Sequence, residues 1–138
     1  MNWELGMKLL ILGGVDDAGK STTIRYSTKY LGIEPDIVQK FLTQRNPPKR
    51  ILINSTPMYI YCTSPQEIAG NDPVECRKVF KRRIERREQN ALIIIPFNLE
   101  SKYQQAIESC LNEIDTRNLR DSNFLRFLGC GLESHKKR

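Results

Sequence analysis

Gly14-Val15-Asp16-Asp17-Ala18-Gly19-Lys20-Ser21 satisfies the spacing G-x-x-x-x-G-K-[ST], and its neighbours decide how it is read. The apolar run Met7-Lys8-Leu9-Leu10-Ile11-Leu12 ahead of it predicts a buried parallel strand. Ser21-Thr22-Thr23-Ile24-Arg25-Tyr26 behind it predicts the start of a helix. Strand, glycine-bounded turn and helix in that order predict an α/β fold with the turn at the carboxyl end of its first strand.

The residue types suit polyanion binding. Gly14 and Gly19 let the backbone turn tightly and bring its N–H groups against phosphate oxygens, and the following helix adds unpaired donors and partial positive charge. Lys20 is placed to reach the β- and γ-phosphates, and the Ser21 hydroxyl to complete the shell of a Mg²⁺ ion. The expected nucleotide-binding set is Gly14, Asp17, Ala18, Gly19, Lys20, Ser21 and Thr22, with Ser21 as metal ligand, Mg²⁺ as cofactor and ATP or GTP as ligand. Asp16 and Asp17 fit an anion site if their side chains point outward while the backbone does the binding.

The 138 residues are 39% hydrophobic and 28% charged, the composition of an ordinary globular chain, and predict one nucleotide-binding domain over residues 1–138. No stretch reaches the roughly 18 apolar residues of a membrane span, and the first segment lacks the basic flank and apolar run of a signal peptide, so a cytoplasmic location is expected. Cys62, Cys76, Cys110 and Cys130 have neither C-x-x-C nor Cys/His spacing and read as reduced thiols in a core.

The formal net charge of +6 is concentrated. Arg77, Lys78, Lys81, Arg82, Arg83, Arg86 and Arg87 crowd one predicted helix, and His135-Lys136-Lys137-Arg138 ends the chain. Residues 77–87 could meet an acidic protein, a nucleic acid or an anionic membrane surface; a solvated helix face is the plainer reading, because no aromatic residues interleave to make a stacking platform.

Along the rest of the chain, the first helix is expected to stop at Gly32. Ile37, Val38, Phe41 and Leu42 share a face in a short helix opened by Glu34-Pro35-Asp36 and closed by Asn46-Pro47-Pro48. Arg50–Asn54 and Met58–Cys62 predict a hairpin joined through Ser55-Thr56-Pro57, which adds one antiparallel edge strand to a mostly parallel sheet. Asp72-Pro73-Val74-Glu75 opens the basic helix with an Asp cap; its narrow stripe of Cys76, Val79, Phe80 and Ile84 predicts that most of its circumference meets water. Ala91–Phe97 reads as a central strand buried on both faces. Ser101 is the expected cap of a last helix, whose core face is Tyr103, Ala106, Ile107, Cys110, Leu111 and Ile114. Leu119–Leu132 has no clear assignment. Together these elements predict an open sheet with helices on both faces, a three-layer arrangement.

Residues Met7 to Thr23 resemble the opening of small GTPases of the Ras and ADP-ribosylation-factor type within the P-loop NTPase superfamily, including the D-x-A-G-K-[ST]-T flavour. The resemblance is good over about the first 32 residues and topological to about residue 115. It implies a D-x-x-G-Q segment after the second hairpin strand, in which the Asp holds Mg²⁺ through water, the Gly senses the γ-phosphate and the Gln orients water. Here that segment is Cys62-Thr63-Ser64-Pro65-Gln66-Glu67, where only Gln66 fits: Cys62 replaces the acid and Pro65 has no N–H to offer. The candidate catalytic residues are Lys20, Gln66 and Glu67, Gln66 being alternatively an exposed loop residue and Glu67 alternatively the water-activating acid. The guanine-reading N-K-x-D element is missing; Asn118-Leu119-Arg120-Asp121 has only its outer residues and follows no apolar strand, so ATP and GTP stay equally open.

Three functions are consistent with these residues. One is a slow NTPase or nucleotide-dependent switch whose Ser64–Gly70 loop responds to the γ-phosphate. Another is a small ATP-dependent kinase in which Arg77 or Arg83 clamps phosphate. The last is a non-catalytic module that holds a partner through the basic helix.

Overall fold

The computed structural model describes residues 7–14 and 19–117, and the backbone of 125–129. Its strands are β1 (Lys8–Gly14), β2 (Arg50–Ile53), β3 (Thr56–Ile60), β4 (Leu92–Asn98) and β5 (Leu125–Gly129). Its helices are α1 (Lys20–Ser27), α2 (Pro35–Thr43), α3 (Pro65–Ala69), α4 (Pro73–Ile84) and α5 (Gln104–Thr116). The strands form one five-stranded sheet in the order β2-β3-β4-β1-β5, parallel except for the β2–β3 hairpin. The expected α/β class and the single antiparallel edge strand are therefore present. β5 gives a strand to the part of the chain that had no assignment; Asn118 to Asp121, Cys130 and the basic tail lie outside the described residues.

Strand alternation sends side chains to two clusters. Leu9 and Ile11 of β1 and Ile93, Ile95 and Phe97 of β4 pack with Cys76, Phe80 and Ile84 of α4 and Ala106, Cys110 and Ile114 of α5. Leu12 and Ile94, one register step away, pack instead with Ile24 of α1, Phe41 of α2, and Met58 and Ile60 of β3. The Phe80 and Phe97 rings meet at 5.5 Å and 53°, a tilted contact favoured by the ring quadrupoles. Cys62, Cys76 and Cys110 are buried free thiols, and burial pushes the Cys110 thiol up to about 12.

Several boundaries move for local reasons. α1 stops at Ser27 and passes through a 3-10 turn, Thr28–Tyr30, before Gly32 takes the left-handed conformation. The hairpin turns at Asn54 and Ser55, with φ of 50° and 68°, so Thr56 and Pro57 belong to β3 rather than to the connection. Ser101 does not cap the last helix: Ser101–Tyr103 is a 3-10 turn and α5 begins at Gln104. Asp72 does cap α4, its Oδ1 accepting the N–H groups of Val74 and Glu75.

Pro96 inside a central strand needs a reason, because proline gives no N–H to the ladder. Tyr61 N–H donates to Ile94 O, so Ile94 and, two residues on, Pro96 face the β3 side. β3 ends at Ile60, so the sheet has already parted where the N–H is lacking.

Beside the hairpin, Glu88 accepts hydrogen bonds from the Tyr59 hydroxyl and from Arg50 Nε and Nη2. These bonds, Tyr59's first, hold its carboxyl down at about 2 against an ordinary 4.5. A carboxyl lowered by folding contributes stability that is present above its ordinary value and lost as pH falls through the folded value. Urea midpoints measured from pH 5 to pH 2 are expected to fall along that window, and less steeply in Glu88→Gln. Equal slopes in the two proteins would refute the assignment.

Candidate functional site

β1 delivers the chain to Gly14 at its carboxyl end, and α1 starts again at Lys20. Gly19 caps that helix with φ of +88°, a conformation in which a Cβ is strained. Gly13 is tightly placed for another reason: a Cβ there would sit 2.8 Å from Leu99 Cδ1, in the turn that follows β4, and that side chain would have to shift. Leu99 N–H donates to Gly14 O, so the ends of β1 and β4 are locked together beside the glycine turn.

The first turn of α1 lines a cavity of about 240 Å³. Its walls are Gly19, Lys20, Ser21 and Thr22, with Cys62, Glu67 and Pro96 opposite. The amides of Ser21 and Thr22 have no carbonyl to reach inside α1, which leaves this end of the helix electropositive. Lys20 is buried there at 9% exposure. Of the expected nucleotide-binding residues, Gly19, Lys20, Ser21 and Thr22 converge on the cavity and Gly14 ends the strand beneath it; Asp17 and Ala18 lie outside the described residues.

Arg25, one turn along α1, was not singled out by spacing. Its Nε donates to Ser21 Oγ at 3.2 Å, its Nη1 to Phe41 O and Gln44 O at 2.6 Å each, and its Nη2 to Arg45 O. One guanidinium thus satisfies carbonyls at the end of α2 and fixes the hydroxyl of the candidate metal ligand.

The segment after β3 differs from expectation. Residues 65–69 are helix, not loop: Ser64 Oγ accepts Glu67 N–H while Glu67 Oε2 accepts Ser64 N–H, a complete capping box with Pro65 at the first helical position. Glu67 is solvent-exposed and presented to the cavity. Gln66 is not an exposed loop residue. It is 3% exposed, its Nε2 donating to Asn98 O and its Oε1 accepting Asn98 N–H, so its amide is committed to tying α3 to the end of β4. β4 also separates β3 from β1, placing the end of β3 about 10 Å from β1 across the sheet. The strand beside the glycine turn is β4, and the residue in register with Gly14 is Asn98.

The basic run divides: α4 ends at Ile84, so Arg86, with φ of 56°, and Arg87 lie beyond the helix that was expected to carry them. Arg83 is 5% exposed, donating to Thr63 O at 2.6 Å and to Thr63 Oγ1, with its guanidinium 4.4 Å over the Tyr61 ring. Arg87 stacks on Tyr59 and donates to the Tyr61 hydroxyl and to Arg82 O and Arg83 O. Arg77 pairs with Glu113 on α5. The expected stripe of Cys76, Val79, Phe80 and Ile84 is the buried face of α4, widened by Arg83, and the remaining positions of the helix are exposed or half-buried. Neither Arg77 nor Arg83 lines the cavity at α1, and the hydrogen bonds of both are made elsewhere.

Burial raises the Cys62 thiol, so it stays S–H and is a poor partner for a hard cation. Among the described residues no group of three or more His, Cys, Asp or Glu side chains converges, and no helix is long and apolar enough to cross a membrane. Comparison with family models, with curated proteins and with solved structures gave no match to this chain.

Proposed function

We propose that this chain binds a nucleoside triphosphate with Mg²⁺ through a P-loop in a three-layer P-loop fold, and acts as a slow NTPase or nucleotide-dependent switch. The observation that carries the reading is the cavity at the start of α1, where Gly19, Lys20, Ser21 and Thr22 face Glu67 across the carboxyl end of the sheet. Helix amides and the Lys20 ammonium supply fixed positive charge where phosphate oxygens would sit. At about 240 Å³ the cavity is smaller than the roughly 300–1,000 Å³ of pockets that bury a whole ligand. It suits a polyphosphate end, with the nucleoside outside these walls.

The donors fit Mg²⁺ sparingly. Ser21 Oγ accepts one bond from Arg25 and keeps a lone pair for a cation; phosphate and water would complete the shell. When bound, the ion would neutralise phosphate charge. With Cys62 where an acid is expected, Glu67 is the one carboxylate among the described lining residues and the candidate to accept a proton from attacking water. Gln66 acts at one remove, holding α3, and therefore Glu67, against β4.

A thermal-shift panel of ATP, GTP and their diphosphates, with and without Mg²⁺, tests the binding. A ligand that binds only the folded state raises Tm, and a triphosphate with Mg²⁺ is expected to raise it most. No shift with any nucleotide would refute the reading. Glu67→Gln is expected to slow hydrolysis about 100-fold or more with nucleotide affinity unchanged, as for loss of a general base.

A further inference from the structure

The half of the basic helix that is not tied to the core forms one wall of a second concavity. Val74, Arg77, Lys78 and Lys81, spaced as one helical stripe, face Ser109 and Glu113 of α5 across a groove of about 390 Å³. Glu113 is the single carboxylate among the described lining residues, and it is neutralised from both sides: Arg77 Nε donates to it at 3.0 Å and Arg117 Nε at 2.6 Å. Burial pushes its carboxyl up, but those two guanidiniums outweigh it and hold the group ionised. The groove therefore presents an excess of positive charge, and Val74 at its rim is 60% exposed.

We propose that this groove between α4 and α5 docks a short acidic segment of a partner protein, with carboxylates on Lys81 and on Lys78, which exchanges its exposed partner Glu75, and an apolar side chain on Val74. This rests on nothing in the nucleotide reading. Charge complementarity selects the class. The groove cations span only about 6 Å along the helix, from residue 77 to residue 81. Asp72 precedes them, Glu75 accepts from Lys78 Nζ at 3.3 Å in an exposed pair that water screens, and Glu85 follows. A continuous polyanion such as duplex nucleic acid would run onto those carboxylates, whereas a compact acidic cluster fits between them. A flat bilayer cannot enter the concavity, and no aromatic ring among the lining residues offers a base a stacking face.

The test uses the full chain and three probes at physiological salt: a labelled twelve-residue peptide of alternating aspartate and leucine, a duplex DNA and phosphatidylserine vesicles. The double variant Lys78→Glu/Lys81→Glu reverses the groove, while Arg82→Glu/Arg86→Glu makes the same net-charge change at exposed positions outside it. The peptide is expected to lose about tenfold or more in affinity with the groove variant and less than about twofold with the control pair. Equal losses in the two pairs would reduce the effect to net charge and overturn the proposal. So would an absence of peptide binding to the unmodified chain, or stronger groove-dependent binding of DNA or vesicles than of peptide. All four substituted residues are solvent-exposed, and matching melting temperatures confirm that each variant is folded.

Discussion

Lys20→Ala is expected to weaken Mg²⁺–triphosphate binding by roughly 100-fold while leaving the apo protein folded. The side chain sits at 9% exposure in the wall of the α1 cavity, where water cannot fully screen a charge. Loss of charge-assisted bonds to phosphate from such a position costs about 3 kcal/mol, or about two decades in Kd. Titration with fluorescent ATP and GTP analogues measures it. Because Gly19, Ser21 and Thr22 remain, the residual affinity reports the helix amides together with the Mg²⁺ ion. An alanine variant that binds as tightly as the parent removes Lys20 from the phosphate site, and the NTPase reading with it.

Arg83→Ala is expected to destabilise the fold by about 3 kcal/mol, the combined cost of a cavity and a lost buried donor. The guanidinium fills the space over the Tyr61 ring and is the donor to Thr63 O. Burial lowers its pKa to about 10, so holding this charge inside carries a desolvation penalty that geometry has to offset. Arg83→Met keeps most of the volume without the donor and should recover roughly 1 kcal/mol of the loss. Urea unfolding of the three proteins decides it. A midpoint for Arg83→Ala within error of the parent would mean that Thr63 is satisfied without Arg83. Thr63 immediately precedes the α3 cap, so the same variant is expected to blunt the Glu67-dependent step more than nucleotide affinity.

How far the site could be read in advance depended on the range of each signal. The spacing from Gly14 to Ser21 placed a strand before the turn and a helix after it, and the structure has both. The Ser64–Glu67 spacing, with Pro65 between, carries the S-x-x-E signature of a helix start, a local signal that outweighs the loop character of the surrounding residues. Gln66 could not be placed from the sequence, because its partner is the backbone of Asn98, thirty-two residues away. The same holds for Arg25, whose carbonyl acceptors lie sixteen to twenty residues on. Arg77 and Arg83 both belong to a recognisable run of basic residues. Helix rotation against the sheet separates them, leaving Arg77 at a groove and Arg83 under Thr63.

The order of residues by itself determined most of the elements and their amphipathic faces, α3 and β5 excepted, since sterics, capping and hydrophobic period act within a few residues. Only the tertiary structure decided that β4 lies between β3 and β1, so that Asn98 is in register with Gly14 while Cys62 meets the start of α1 across the cavity. An apolar run such as Leu92–Phe97 specifies burial on both faces and says nothing of which strands flank it. That choice belongs to the packing of distant segments, where two faces of one sheet had to be covered by helices drawn from both halves of the chain.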